Sequence, residues 1–154
     1  MKKYLLMLAA LFVGAVCFTS CGDDDDIDDF IDNIENVKPT VVINEKGNPM
    51  TMTITYPGMY TETHAAAFDS NNMCSSYKVT QVFKHSNLAD AAWKEIQDDL
   101  AEEKAEGNEP TYKYSRDGKT IVCDMSADFK GKDRQYVLMV FDVYKSNIER
   151  SYND

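Results

Sequence analysis

The most constraining feature of the sequence is a strict alternation of side chains in residues 50–56. Apolar side chains alternate with threonine side chains in the run MTMTITY. Because successive side chains of a strand point to opposite faces, the run predicts a half-buried strand. Residues 40–44 predict its partner, joined through a turn at Glu45-Lys46-Gly47-Asn48. The pair favours a hairpin in an antiparallel sheet.

The segment that follows predicts further strands. Tyr56-Pro57-Gly58-Met59 has the composition of a type II turn, because proline fixes φ and glycine accepts positive φ. Residues 60–64 can extend the strand, whereas residues 65–68 are compatible with a helical turn. Residues 75–84 have strand character again. Their shared face carries Tyr77, Val79 and Phe83.

One amphipathic helix is predicted after these strands. Apolar residues recur every four positions, and charged residues occupy the opposite side. The stripe consists of Leu88, Ala92, Ile96 and Leu100. Ser86 or Asn87 suits the start of the helix, and Gly107 suits its end. Trp93, beside the stripe, is either a ligand platform or a core residue, and its place on such a helix favours the core.

A hairpin is predicted around Asp117-Gly118, which is a strong signal for a type I′ turn. A two-residue turn at this dipeptide places Tyr114 opposite Ile121. It also places Arg116 opposite Lys119, an unfavourable pairing of like charges. A bulged three-residue turn is therefore the alternative.

The fold class predicted is α+β, an antiparallel sheet of five or six strands with one long amphipathic helix packed on a face. Residues 135–144 contain a run of consecutive apolar side chains, which predicts a central strand covered on both sides. The domain should span residues 27–146, starting with a short amphipathic helix at 27–36. Residues 147–154 are expected to form a polar tail.

The N-terminus has the three parts of a secretory signal. Lys2 and Lys3 are basic, residues 4–16 are apolar and uncharged, and Phe18-Thr19-Ser20-Cys21 ends the stretch with small residues before a cysteine. The apolar run is shorter than the roughly 18 residues of a spanning helix. Residues 1–20 are therefore predicted to be a cleaved signal, which leaves 134 residues, enough for one domain.

The end of this signal resembles the lipobox of bacterial lipoproteins, although Phe18 stands where the family usually has leucine. The resemblance implies that Cys21 is lipidated, becomes the first mature residue and anchors the protein in the outer membrane. An ordinary secretory signal with Cys21 as a stray thiol is the alternative. Several acyl chains on one residue would make a permanent anchor, since two membrane signals already suffice.

An acidic run directly follows the cysteine. Asp23, Asp24, Asp25 and Asp26 come after Gly22, and such a run stays extended through self-repulsion. The arrangement resembles the export signal of surface lipoproteins of the Bacteroidota, which implies display on the cell surface. Residues 21–26 would then be a tether. An EF-hand calcium loop does not fit, because its alternating ligands, central glycine and distal glutamate are missing.

The acidity of the chain is concentrated near this tether. The formal net charge is −10, and eight of the 26 carboxylates lie between Asp23 and Glu35. The remaining domain is mildly acidic with scattered basic residues, so it lacks the basic patch that binds phosphate backbones. Nucleic acid is excluded as an expected partner.

Two cysteines remain after the signal and the lipid site are set aside, Cys74 and Cys123. In an exported protein this pair predicts a disulfide, and two buried apolar thiols are the alternative. A zinc site that also uses His64 and His85 lacks the close spacing of such sites.

Few residues suggest chemistry, and the familiar catalytic motifs are absent from the sequence. Glu62 and His64 share a strand face, where they would form either a metal or acid–base pair or, as the sequence favours, a solvent-facing strand end. Tyr112, Tyr114 and Tyr136 are candidates for a sugar-stacking platform on the sheet, against ordinary cross-strand packing.

These observations favour a surface-anchored, non-catalytic lipoprotein that binds an extracellular ligand or serves a partner protein, with a glycan or a protein as the partner. No cofactor and no metal are expected. A structural component of an outer-membrane complex is the first alternative, and it should show an exposed apolar patch. A hydrolase is the second, and it requires a cleft around groups such as Glu62 and His64.

Overall fold

The alternating run forms the second strand of a six-stranded antiparallel sheet. The structure is a computed structural model that describes residues 38–110 and 112–152. The predicted signal peptide, the lipid-attachment residue Cys21, the acidic run and the helix at 27–36 lie outside the described residues.

The described residues contain six strands and three helices. The strands are β1 (Thr40–Asn44), β2 (Met50–Tyr56), β3 (Tyr60–Phe68), β4 (Cys74–Phe83), β5 (Lys113–Asp117) and β6 (Thr120–Asp124). The helices are α1 (Ser86–Ala105), α2 (Ser126–Phe129) and α3 (Arg134–Ser151). The sheet order is β1-β2-β3-β4-β6-β5, and all neighbouring strands are antiparallel. The predicted α+β class, with a long helix packed on an antiparallel sheet, is confirmed.

The strand registers sort the side chains into two faces. His64 of β3 lies opposite Met52 of β2 and Val79 of β4, and Val79 lies opposite Cys123 of β6. Side chains in line with these residues meet the helices, as the ring contact of His64 with Phe141 of α3 illustrates. We call this side the covered face. Its buried apolar residues include Met50, Met52, Ile54, Tyr60, Ala66, Tyr77, Val79, Phe83, Ile121 and Cys123.

Residues 135–144 are helical, and the central strand predicted there is wrong. The buried residues of α3 recur at intervals of three and four, the helical period. They are Val137, Val140, Phe141, Tyr144 and Ile148. The Asp133 side chain caps the helix by accepting a hydrogen bond from the backbone N–H of Tyr136 at 2.8 Å. The helix continues to Ser151, so the polar tail expected from residue 147 is also wrong up to that point.

The β2–β3–β4 segment corrects one expectation and confirms another. β3 extends through residues 65–68, where a helical turn was the alternative, because Ala66 pairs with both Met50 and Tyr77 and is held between two strands. The type II turn before it is present. Gly58 has a φ of 83°, and the backbone N–H of Met59 donates to the Tyr56 carbonyl at 3.1 Å.

The second hairpin forms, but its loop lies one position later than predicted. Gly118 and Lys119 are the two loop residues, Gly118 has a φ of 55°, and Asp117 pairs with Thr120. Arg116 therefore lies opposite Ile121 and not opposite a lysine. Its guanidinium forms an ion pair with Asp90 of α1, which ties the hairpin to the helix.

The predicted amphipathic helix is α1. Its buried residues are Ala89, Ala92 and Ile96, while Leu88, Trp93 and Leu100 are only partly covered. The helix begins one residue earlier than the predicted caps, since His85 is the N-cap residue and makes no side-chain capping bond. Gly107 follows the last turn with a φ of 80°, as expected of a C-terminal glycine.

Candidate functional site

The face of the sheet opposite the helices is rich in threonine, and we call it the open face. Its central row crosses the strands as Val42, Thr53, Thr63, Thr80, Val122 and Ser115. The next row contains Thr40, Thr55, Thr61, Val82, Thr120 and Asp117. These two rows hold a single charged residue, Asp117 at one end.

This composition follows from strand propensity and from exposure. Threonine and valine are favoured in strands whether or not they are buried, because their branched side chains fit the pleated surface. Val42 and Val82 are 66% and 49% exposed, and the threonines of β2 and β3 are half-buried by their strand neighbours, with none of the described helices covering this face. The other charged residues lie in a third row of this face. That row contains Asn44, Thr51, Ala65, Lys78, Asp124 and Lys113.

The open face presents a regular grid of hydroxyl and methyl groups. Neighbouring strands lie about 4.8 Å apart, and residues two positions apart on one strand are separated by about 6.7 Å. A threonine hydroxyl donates one hydrogen bond and accepts two, while its methyl group offers apolar contact. The face can therefore make both polar and apolar contacts with an uncharged surface.

A polar network lies buried on the covered face, under α3. The imidazole of His64 contacts Tyr77 through Nδ1, at 2.8 Å from the phenol oxygen. Its Nε2 lies 2.7 Å from Oε1 of Glu62, and the Gln81 amide donates to Oε2 of Glu62 at 2.7 Å. All four residues are at most 9% exposed. Among the described residues, every buried side-chain polar atom has a hydrogen-bond partner.

The contact with Glu62 orients the imidazole ring. Nε2–H of His64 donates to the Glu62 carboxylate, and Nδ1 of His64 shares a hydrogen bond with the Tyr77 hydroxyl. Burial by itself raises the pKa of Glu62. The hydrogen bond and charge of His64 and the hydrogen bond from Gln81 outweigh this effect, so the pKa of Glu62 is lowered from its usual value.

Aromatic rings enclose this network. His64 lies 5.1 Å from the Tyr144 ring and 6.2 Å from the Phe141 ring, both on α3. Tyr77 stacks on Phe129 of α2 with ring centroids 3.8 Å apart. His64 is 3% exposed and Tyr77 is 1% exposed. The network therefore ties β3, β4 and the helices together inside the core, away from solvent.

The solvent-facing strand end predicted for Glu62 and His64 is thus wrong. The two residues do share a face, as their spacing requires, but α3 covers that face. Sequence reasoning missed Tyr77 and Gln81 as their partners. The available signal was the alternation of β4, which places Tyr77 and Gln81 on the same face as Val79.

The three tyrosines predicted as a platform do not lie on one sheet face. Tyr114 is on β5, on the covered side opposite Cys123, and Tyr112 just precedes that strand. The Tyr112 hydroxyl donates to Asp128, next to α2 residue Phe129. Tyr136 is on α3 and is 39% exposed. The Lys132 ammonium lies over the Tyr136 ring, 5.1 Å from the ring centroid.

The predicted Cys74–Cys123 disulfide is wrong in this structure, since both residues are free, buried thiols. The register gives the reason. Cys123 pairs with Val79, which is five residues along β4 from Cys74. Five strand residues span about 16 Å, whereas disulfide-bonded Cα atoms lie roughly 4.4–6.8 Å apart. Burial raises the pKa of the Cys123 thiol to about 11 and also raises that of Cys74.

The comparisons with protein families, curated proteins and solved structures give no match. The described part of the chain holds no cluster of three or more His, Cys, Asp or Glu residues arranged for a metal ion. None of the described helices is both long and apolar enough to cross a membrane.

Proposed function

We propose that this chain is a lipid-anchored, non-catalytic binding module that holds an uncharged polysaccharide on its open face. The proposal rests on the width of the nearly uncharged part of that face. Two adjacent rows across all six strands contain one charged residue, in a chain of which 27% is charged.

The chemistry of the open face supports a neutral sugar polymer as the ligand. Sugars present hydroxyl groups and C–H groups side by side, as the threonines do, and each hydroxyl can both donate and accept. The charges of the third row, Lys78, Asp124 and Lys113, alternate in sign, and the two threonine-rich rows hold only Asp117, so these two rows offer no charge cluster to attract an acidic or basic ligand. Its described strand residues include no aromatic ring, so the affinity per sugar should be low and binding should increase with polymer length.

A non-catalytic role is supported by the position of the reactive groups. Glu62, His64 and Tyr77 form an acid–base cluster, but they are buried beneath α3. The anchor at Cys21 and the surface display are inferred from the lipobox and the acidic run. In this proposal the domain is held at the cell surface and binds its ligand through the open face of the sheet.

Co-sedimentation of the full chain with insoluble polysaccharides tests the proposal. Curdlan and amylose serve as neutral probes, and polygalacturonate immobilised on beads serves as a charged one. Thr63→Glu, at the centre of the open face, should weaken binding to a neutral probe at least tenfold. Gln97→Glu adds the same charge on the exposed side of α1 and should leave binding unchanged. The proposal would be contradicted if Thr63→Glu bound a neutral probe as tightly as the native protein does. It would also be contradicted if the native protein bound polygalacturonate more tightly than the neutral probes.

A structural role in an outer-membrane assembly is the second candidate, and one observation favours it. Met139 and Val143 on the outer side of α3 are 53% and 52% exposed, which is unusual for large apolar side chains on one helix face. If this role is the true one, polysaccharide binding should be absent. Val143→Asp, and not Thr63→Glu, should then change the size of the native complex on a non-denaturing gel.

A further inference from the structure

The two edges of the sheet differ in charge. The β5 edge carries Lys113, Arg116 and Asp117, three charged residues out of five. The β1 edge has the sequence TVVIN, with no charge. Charged residues on an edge strand oppose pairing with a further strand, whereas an uncharged β-branched edge permits it. Among the described residues, no strand lies beyond β1.

Within the described residues, β1 also leaves part of the apolar core partly exposed. Val41 and Ile43 belong to the covered face, opposite Ile54 and Met52, which are 1% and 0% exposed. Val41 and Ile43 themselves are only partly buried, and Val42 on the other face is 66% exposed. A strand added beyond β1 would cover these three side chains.

We propose that two copies of this chain pair antiparallel through their β1 strands, with the two-fold axis at Val42. In this register Val42 faces the partner's Val42 on the open face. Val41 lies opposite the partner's Ile43 on the covered face, and Thr40 lies opposite the partner's Asn44. The contact is isologous, as two-fold symmetry requires. A slip of one residue would turn every apolar side chain to the wrong face.

The composition of β1 favours a second copy as the added strand. A strand with the same uncharged sequence brings no like charges together. β-branched residues also stabilise one another when they lie directly across an antiparallel pair. The contact is small, so we expect association that depends on concentration. The proposal goes beyond polysaccharide binding and does not depend on it, although paired open faces would join into one surface of twelve strands.

Disulfide trapping in cells that produce the full chain tests the pairing. Residues directly opposite each other have Cα atoms about 4.5–5.5 Å apart, which is within disulfide range. Val42→Cys should therefore give a covalent dimer on a non-reducing gel under mild oxidation. Ser115→Cys, at the equivalent exposed position of the β5 edge, should remain monomeric. Both variants keep the native cysteines, so the unaltered chain gives the background.

The register is tested by a second pair of variants. Thr40→Cys alone should give no dimer, because the two Thr40 positions would be about 13 Å apart along the paired strands. Production of Thr40→Cys together with Asn44→Cys, on separate chains, should give the crosslinked heterodimer. Crosslinking of Thr40→Cys with itself would overturn the proposed register.

A charge introduced on the β1 edge distinguishes dimerisation through β1 from dimerisation through the open face. Val42→Lys should reduce crosslinking between Thr40→Cys and Asn44→Cys at least tenfold, whereas Val82→Lys, inside the open face, should leave it unchanged. Circular dichroism confirms that each variant is folded. Absence of the Val42→Cys dimer in a folded protein, or loss of crosslinking with Val82→Lys alone, would overturn the proposal.

Discussion

At the scale of single residues, Glu62 is the group whose burial demands most from its surroundings. An ionised carboxylate without partners is costly inside a protein. Here each of its oxygens accepts a hydrogen bond, one from His64 and one from Gln81. Removing the charge leaves these two donors without an ionised partner, so the network should respond as a unit.

The first prediction concerns Glu62→Gln, which should lower the free energy of unfolding by about 3 kcal/mol at neutral pH. The pKa of Glu62 is lower in the folded than in the unfolded protein. Its contribution is therefore present above the unfolded pKa and is lost as the pH falls through the folded pKa. Urea unfolding should show less acid sensitivity in Glu62→Gln than in the native protein.

Glu102→Gln is the matched control for this experiment, since it makes the same change on the exposed side of α1. It should alter stability by under about 0.5 kcal/mol at any pH. Equal acid sensitivity of the native protein and Glu62→Gln would mean that the carboxylate does not stabilise the fold.

The second prediction concerns Cys74 and Cys123, which should both be free thiols in the protein purified without a reductant. Burial and a pKa of about 11 for Cys123 leave little thiolate, so alkylation of the native protein at pH 8 should be slow. After unfolding without a reductant, both cysteines should be alkylated, as peptide mass spectrometry can measure. A linked Cys74–Cys123 peptide would contradict the strand register.

At the scale of elements, the sequence predicted the strands better than the last helix. In β2, apolar side chains alternate with threonines over seven residues, a pattern that predicts a strand and not a helix. Residues 136–141 are all apolar, and an unbroken apolar run fits a buried strand and a buried helix alike. The deciding signals were Asp133 as the cap and the longer spacing to Tyr144 and Ile148. The candidate network was harder still, because it joins residues 13 and 19 positions apart.

The third prediction tests α3 with one substitution at two positions. Val140 is 6% exposed and Val143 is 52% exposed, three residues further along the helix. Val140→Asp should destabilise the protein by at least about 3 kcal/mol, because it buries a charge without a partner. Val143→Asp should change stability by under about 0.5 kcal/mol. A strand covered on both sides would make both substitutions severe, so similar urea midpoints would contradict the helix.

At the scale of the whole molecule, the domain is one-sided. Both long helices, α1 and α3, lie on the covered face, while the open face has no helix among the described residues. Such a layered arrangement places the packed face and the proposed binding face on opposite sides of one sheet. The anchor proposed at Cys21 would hold this domain near the membrane.

The fourth prediction concerns that anchor and the side of the membrane on which the protein is held. Cys21→Ala should abolish acylation and release the protein in soluble form. Replacing Asp23, Asp24, Asp25 and Asp26 by alanine should leave acylation intact but retain the lipoprotein on the periplasmic side. Protease added to intact cells measures this, because only a surface-displayed chain is accessible. A native chain that resists protease until lysis, beside a digestible unfolded control, would contradict surface display.

The separation of the two faces has a consequence for the way this sequence can change over time. Core packing restricts the positions that face the helices, since each substitution there alters volume or leaves a polar atom unsatisfied. The intervening positions of the same strands, such as Thr53 and Thr63, meet no such restriction. Related chains should therefore diverge fastest at every second strand residue. If the open face binds a ligand as proposed, a new specificity can arise there while the packing of the covered face is kept.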